Sequence, residues 1–199
     1  MATDDKYIQE LPALTTPATS DIVVVIKDPI SAPVARQVTL ENVLALLGGG
    51  TVKQIVGNQT GTMATGTTVI PADNTIPQIT EGTQFMSQAV TPTSATNKLR
   101  IDVTFVGTSG TSVRTLCVAL FQDATANAIA CAVVGIPSSG YMQTVRFSHT
   151  MTAGTTSATT FYVRAGVETS GTVTFNGAGG AQFYGGVLAS SITITEYEP

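Results

Sequence analysis

The chain contains one histidine, so general acid–base or nucleophilic chemistry would have to be built around His149. A hydrolytic triad would also need a serine and an acid, and no serine lies in the GxSxG pattern of a nucleophile elbow. His149 alternates with Val145 and Phe147 along an extended segment, which places it on the apolar face. The pattern predicts a partly buried core histidine rather than a general base.

Carboxylates are the other groups that could do chemistry, because glycoside hydrolysis uses two of them about 5–10 Å apart. Each acid after residue 50 has the setting of a turn former or a solvent-facing strand residue: Asp73, Glu81, Asp102, Asp123, Glu168, Glu196 and Glu198. The glycine cluster at 177–180 is followed by neither a helix nor the lysine of a phosphate-binding loop. We therefore predict a chain that is not an enzyme and that binds no cofactor or metal.

The two cysteines, Cys117 and Cys131, lack the further ligands that a metal site requires. They have the same parity about the hairpin loop predicted at 123–127, so we expect them on one sheet face. A reducing cytoplasm disfavours a disulfide. The expectation is two free thiols in the core.

A ligand surface on a β-domain is expected on the loops, where exposed aromatic rings can stack on sugars. Tyr141 follows the loop predicted at 137–140 and is the first candidate, followed by Tyr184 with Gln182. The alternative is that these rings pack at a subunit interface.

Charged residues make up only 11% of the 199 residues, whereas 43% are hydrophobic, which is typical of a β-rich structural protein with a hydroxyl-covered surface. The net charge of -4 and scattered Lys and Arg argue against a nucleic-acid partner. No apolar run is long enough for membrane insertion, and the N-terminus lacks a secretory signal. We expect a protein made in a cytoplasm.

Period-two alternation predicts strands after residue 50, most clearly at Leu99–Phe105. Turn signals separate about eight strands, including a turn at Gly107–Gly110, so we predict an all-β, jelly-roll-like β-sandwich. Arg114–Phe121 and Ala128–Ile136 carry apolar residues on both faces. A second surface must cover them, so Arg114–Phe121 is either central in a sandwich or buried in an oligomer interface. A homotrimer would also remove sheet edges. A monomeric sandwich is the alternative.

Six ordered blocks in this region are similar to a β-domain that recurs at the C-terminal ends of bacteriophage virion proteins. They are IPADNTIPQITEGT at 70–83, TPTSATNKL at 91–99, ALFQDATANAIA at 119–130, MTAGTTSATTFYVRAG at 151–166, GTVTFNG at 171–177 and GGVLASSITITE at 185–196. The resemblance covers about residues 57–199 and implies a phage surface module.

The first 50 residues have a different character and form a small β/α segment that ends in a joint at Gly48–Gly50. We predict strands at Ile22–Ile26 and Val34–Val38, and a helix over Leu40–Leu47 capped by Thr39. Residues 8–47 resemble the N-terminal attachment segment of phage tail-fibre proteins. The expected domains are therefore 1–50 for virion attachment and 51–199 for the β-domain.

Together these features predict a non-enzymatic phage virion structural protein on the tail or capsid surface. The leading interpretation is a short trimeric tail fibre or adhesin that contacts other virion proteins through residues 1–50. Its β-domain would bind a host cell-surface glycan or protein. The alternative is a capsid decoration (cement) protein that stabilises the phage head.

Overall fold

A computed structural model describes residues 22–27, 34–39, 50–111 and 113–199 and divides the chain into two units, Met1–Gly50 and Thr51–Pro199. In the first unit, strand β1 (Ile22–Lys27) pairs antiparallel with strand β2 (Val34–Thr39). Both predicted strands are confirmed. The predicted helix at 40–47 and the joint residues Gly48 and Gly49 lie outside the described residues.

The second unit is all-β, as predicted, apart from one short 3-10 turn at Tyr184–Gly186. Its strands are β3 (Val52–Thr60), β4 (Ala64–Gly66), β5 (Thr83–Val90), β6 (Lys98–Ser109), β7 (Arg114–Gln122), β8 (Ala130–Ile136), β9 (Gln143–Thr152), β10 (Thr159–Val167), β11 (Val173–Phe175), β12 (Gly177–Ala178), β13 (Ala181–Gln182) and β14 (Ser190–Tyr197).

Two antiparallel sheets face each other, and their pairing is that of a jelly roll. One sheet has the order β5-β10-β7-β8. The other has the order β3-β14-β6-β11-β4, in which β14 and β11 share one edge of β6 and β9 pairs with its other edge. Among the eight long strands, the first pairs with the last (β3 with β14), the second with the seventh (β5 with β10), the third with the sixth (β6 with β9) and the fourth with the fifth (β7 with β8). This nested pairing confirms the jelly-roll prediction.

Alternate residues of each sheet fill the space between the two layers. Leu99, Ile101, Val103 and Phe105 of β6 are all buried, as their alternation predicts. They meet inward residues of the facing sheet, among them Phe161 and Val163 of β10, in a single hydrophobic cluster. The rings of Phe85, Phe105 and Phe175 pack together with centroids 5.0–5.5 Å apart.

The outer face of β7 is covered by the chain itself. Ile70 and the segment that follows it lie across this face and bury Cys117, Ala119 and Phe121 in a second, smaller cluster. Backbone hydrogen bonds fix the segment, including Ile79 N to Ala126 O at 2.7 Å. The two-sided burial of β7 therefore has its cause within one protomer, which agrees with the alternative of a central strand, and the homotrimer stays a prediction. On β8 the outward Val133 remains 62% exposed.

The sandwich has two distinct ends. The second unit begins beside Val52, at what we call the entry end. Val52 pairs with Tyr197, and Tyr197 pairs with Lys98, so the start of β3, the end of β14 and the start of β6 lie together there. At the opposite end, the far end, β6 finishes at Ser109 and β3 at Thr60. The far end carries the connections at residues 110–113, 137–142, 168–172 and 183–189. The ends are roughly 30 Å apart, since β3 has nine residues.

Candidate ligand-binding site

The three sequence-predicted ligand residues all lie toward the far end. Tyr141 is in the β8–β9 connection and is 52% exposed. Gln182 ends β13, and Tyr184 opens the 3-10 turn with 75% of its surface exposed. The structure therefore places Gln182 and Tyr184 in one excursion of the chain and Tyr141 in another.

The Tyr141 loop is held against the end of β6 by short hydrogen bonds. Gly140 N donates to Ser109 O at 3.0 Å, and Ser139 Oγ donates to Gly110 O at 2.8 Å. Gly140 has a φ of 76°, the left-handed region that glycine adopts without strain. This anchoring fixes the backbone that carries the exposed ring.

Tyr141 stands beside an open depression of about 450 Å³. The depression lies where β7 begins and β8 ends, and it is lined by Val113, Arg114, Thr115, Gly135, Ile136, Pro137, Tyr141, Gln143 and Glu168. Its volume is in the range of small-molecule sites, and its lining mixes one aromatic ring with charged and amide groups. The structure thus brings Tyr141 together with polar residues that sequence reasoning had not connected.

The two charged residues of the depression are engaged differently. Glu168 accepts a hydrogen bond from Thr115 N at 2.7 Å, which anchors its carboxylate to β7. Arg114 donates from Nη1 to Val113 O at 3.2 Å. Ion pairs within the described residues join Lys53 to Glu198 and Arg100 to Asp102, and none includes Arg114. Arg114 Nε is buried, and none of the described residues accepts a hydrogen bond from it.

A second depression of about 150 Å³ continues along the outer face of the same sheet. It shares Thr115 and Glu168 with the first, so the two depressions adjoin, and together we call them the groove. Its other lining residues are Ile70, Pro71, Ala72, Asp73, Thr75, Pro77, Cys117, Cys131 and Val133. The cysteines share a face, as predicted, but only Cys117 is buried; Cys131 is exposed, so the expectation of two core thiols is wrong for it.

The excursion that carries Gln182 folds as a short hairpin, β12 with β13, followed by the 3-10 turn. The rings of Phe183 and Tyr184 meet edge to face with centroids 6.1 Å apart. Val187 beside them is 85% exposed. This tip is apolar and exposed, whereas the groove beside Tyr141 is concave and has a mixed polar and apolar lining.

Groups that could support catalysis or metal binding are dispersed. His149 is half-buried on β9 opposite Ile101, which confirms the predicted core-side position. Within the described ranges, no three His, Cys, Asp or Glu residues come together as metal ligands. The same residues include no helix long and apolar enough to cross a membrane.

Comparisons with known proteins give distant structural likenesses. No protein-family model matches the chain, and no curated protein matches it. A CBM4 structure shares 17% identity over 63% of this chain and 73% of that chain, with a TM-score of 0.36. A structure of infectious bursal disease virus, Gx strain, shares 13% identity over 90% of this chain and 42% of that chain, at 0.34.

The enzymatically active domain of tailspike protein 4 from bacteriophage CBA120 is also similar. It shares 17% identity over 63% of this chain and 19% of that chain, with a TM-score of 0.27. At these scores the likenesses carry nothing about function. The phage virion family remains a prediction from the sequence blocks.

Proposed function

We propose that this chain is a non-enzymatic structural protein of a bacteriophage virion, a short tail fibre or adhesin whose jelly roll binds the host surface. The supporting observation is that the second unit has two ends with different features. The chain enters at one end, beside Val52, and the exposed rings of Tyr141 and Tyr184 lie toward the other. A module joined to a particle through its entry end would present these rings outward.

Residues 1–50 supply the virion attachment in this proposal, because they resemble the attachment segment of tail-fibre proteins. The protein is made in the host cytoplasm and ends on the virion. Its working form is a homotrimer. Support for assembly comes from strand β3, an outer strand of its sheet whose Val52 and Ile55 are 53% and 64% exposed.

Sedimentation equilibrium should give three times the chain mass of 20.5 kDa, whereas the mass of a single chain would overturn the trimer.

A binding role fits the chemistry of the exposed loops better than catalysis. The half-buried His149 lies on β9, away from the groove lining. Glu168 is the one carboxylate in the larger depression, whereas glycoside hydrolysis uses two. The larger depression therefore offers contacts to a ligand without a pair of acids to cleave it.

Immunogold electron microscopy tests the proposed location. Antibody raised against the full chain would be applied to phage particles that carry the protein. Label at the tail or baseplate is the expected result. Label spread over the capsid faces would overturn the fibre and favour a capsid decoration protein, and particles without label would overturn the virion role itself. A phage lacking the gene's product serves as the control for antibody specificity.

A further inference from the structure

We propose that the groove beside Tyr141 binds an acidic saccharide, with Arg114 holding the sugar's anionic group. This inference rests on the proposed host-binding function and names the class of ligand. The groove combines a guanidinium, an exposed aromatic ring and acceptors for hydroxyl groups, all on the lining of one depression. Such a combination matches the three chemical faces of a uronic acid: a carboxylate, hydroxyl groups and an apolar ring face.

Arg114 is the group that selects for negative charge. Its guanidinium pairs with no acid among the described residues, and its Nε lacks a partner there although the atom is buried. An unpaired guanidinium at a partly buried position favours an anion, since charge-assisted bonds to carboxylates are about twice as strong as neutral ones. Glu168 lines the same depression but is held by Thr115 N, and its carboxylate can accept sugar hydroxyl groups.

The aromatic contact comes from Tyr141, whose ring is half exposed beside the depression. Gln143 adds an amide that already donates to Gly135 O at 3.3 Å, which leaves its carbonyl oxygen as an acceptor for a sugar hydroxyl. The shared lining of the two depressions extends the groove along β7 and β8, so a second sugar would lie beside Asp73, which favours a neutral sugar next to the acidic one.

Gly135 keeps the groove open. It lies inside strand β8, where glycine weakens the strand and often marks a site that a ligand approaches closely. A Cβ built on Gly135 would meet no atom within 4 Å, so the space beside it is free. Because Gly135 lines the depression, a branched side chain at this position would take up ligand space.

The test uses full-length protein and a defined probe, an oligosaccharide of alternating glucuronate and N-acetylglucosamine, with its neutral methyl ester for comparison. Titration monitored by saturation-transfer NMR gives both affinities. We expect the acid to bind at least tenfold more tightly than the ester. Arg114→Gln should remove that preference, and Arg146→Gln should keep it, because Arg146 is an exposed strand residue outside the groove.

Steric and aromatic variants test the same site independently of charge. Gly135→Val should weaken binding of acid and ester alike at least tenfold while leaving the unfolding midpoint unchanged, since valine suits a strand. Tyr141→Ala should weaken both ligands, and the control Val187→Ala, at an exposed residue that lines neither depression, should weaken neither. Equal affinities for acid and ester, identical behaviour of Arg114→Gln and Arg146→Gln, or no saturable binding would each overturn the proposal.

Failure of this inference is distinguishable from failure of the proposed function. Immunogold label at the tail without binding of the probe overturns the ligand class alone. Label on the capsid faces together with selective binding of the acid overturns the fibre alone.

Discussion

The carboxylate of Glu196 lies 2.6 Å from the side-chain nitrogen of Asn97, 99 residues earlier in the chain. The same carboxylate accepts hydrogen bonds from Thr93 N at 2.8 Å and from Gln54 Nε2 at 2.5 Å. Glu196 thereby joins the last strand to the β5–β6 turn and to β3. Two of the sequence blocks, TPTSATNKL and the closing TITE, meet at this one fully buried acid.

Burial raises the pKa of Glu196, but hydrogen bonds from Gln54, Asn97 and Thr93 together outweigh it and lower the pKa to about 2. Because the pKa of Glu196 in the folded protein is below the ordinary glutamate value of 4.5, this contribution to stability is fully present above about pH 4.5. It is lost as the pH falls toward 2. The second unit should therefore lose stability across this acid range.

Glu196→Gln should lower the free energy of unfolding at pH 7 by about 2–3 kcal/mol, because an amide cannot replace an anion that accepts from several donors. Urea unfolding at pH 7 and at decreasing pH measures the loss. The difference between wild type and variant should shrink between pH 4.5 and 2. Glu198→Gln removes an exposed ion-pair partner and should cost less than about 1 kcal/mol. Equal losses in both variants would contradict the role of Glu196.

Asn176 follows β11 and has a backbone φ of 54°. Its side chain links this end of β11 to β14. Its side chain donates to Thr60 O at 2.7 Å and accepts from Ser190 Oγ at 2.7 Å, and the residue is fully buried. Asn176→Ala should cost about 3 kcal/mol or more, since it leaves buried groups unpaired and puts alanine at positive φ.

Asn176→Gly separates the two causes, because glycine tolerates this backbone conformation but makes no side-chain bonds. We expect Asn176→Gly to recover about 1 kcal/mol relative to Asn176→Ala in thermal or urea unfolding. Full recovery to the wild-type stability would show that the hydrogen bonds contribute nothing.

Gly82 belongs to the segment that follows Ile70 across the outer face of β7, and it packs against β10 with a φ of 64°. A Cβ at Gly82 would lie 2.8 Å from Ile70 Cδ1, whereas a Cβ at Gly154, at a φ of 70°, would meet nothing within 4 Å. Gly154→Ala should therefore cost only the backbone strain, about 1 kcal/mol, and Gly82→Ala should cost about 1–3 kcal/mol more. Urea unfolding of the two variants measures the difference. Equal costs would contradict tight packing of the segment.

The two cysteines should react differently. Burial, followed by the neighbouring Cys131, raises the pKa of the Cys117 thiol to about 12, so almost no thiolate forms at pH 8. Iodoacetamide at pH 8 should modify Cys131 in the folded protein and both residues in urea, as read by peptide mass spectrometry. Cys131→Ser should abolish native labelling, and Cys117→Ser should retain it. Native modification of Cys117 would contradict its burial.

Strands with strict alternation were predictable because one face is buried and the other is wet. Leu99 to Phe105 and Phe161 to Ala165 are of this kind, and their buried residues alternate as expected. Strand β3 was not identified, because it lies at the sheet edge and its burial is weak: Val52 and Ile55 remain exposed. Edge strands give little periodic signal.

Gly107 shows how a turn signal can mislead. The turn predicted at Gly107–Gly110 is wrong, because β6 continues to Ser109 and the turn follows it. A Cβ on Gly107 would lie 2.6 Å from the ring of Phe105, so the glycine makes room for an aromatic ring inside a strand. Sequence alone does not distinguish a glycine that relieves packing from one that permits a turn.

The lining of the groove could not be predicted from local sequence patterns, because it depends on which strands pair. Arg114 and Glu168 are 54 residues apart and line the same depression only because β7 pairs with β10. Tyr141 was identified because an exposed ring after a proline-containing loop is a local feature. An arginine that opens a strand otherwise rich in apolar residues was the one signal that could have indicated the charged lining of the depression.

The direction in which this jelly roll would be pulled has a mechanical consequence. A force applied between residue 51 and the far-end loops acts parallel to the long strands. The ladder between β3 and β14 would then be strained in shear, with its hydrogen bonds stretched together rather than peeled apart one by one. In the proposed tail fibre, the continuous antiparallel strands over this span would therefore resist extension along the axis on which a tethered particle exerts tension.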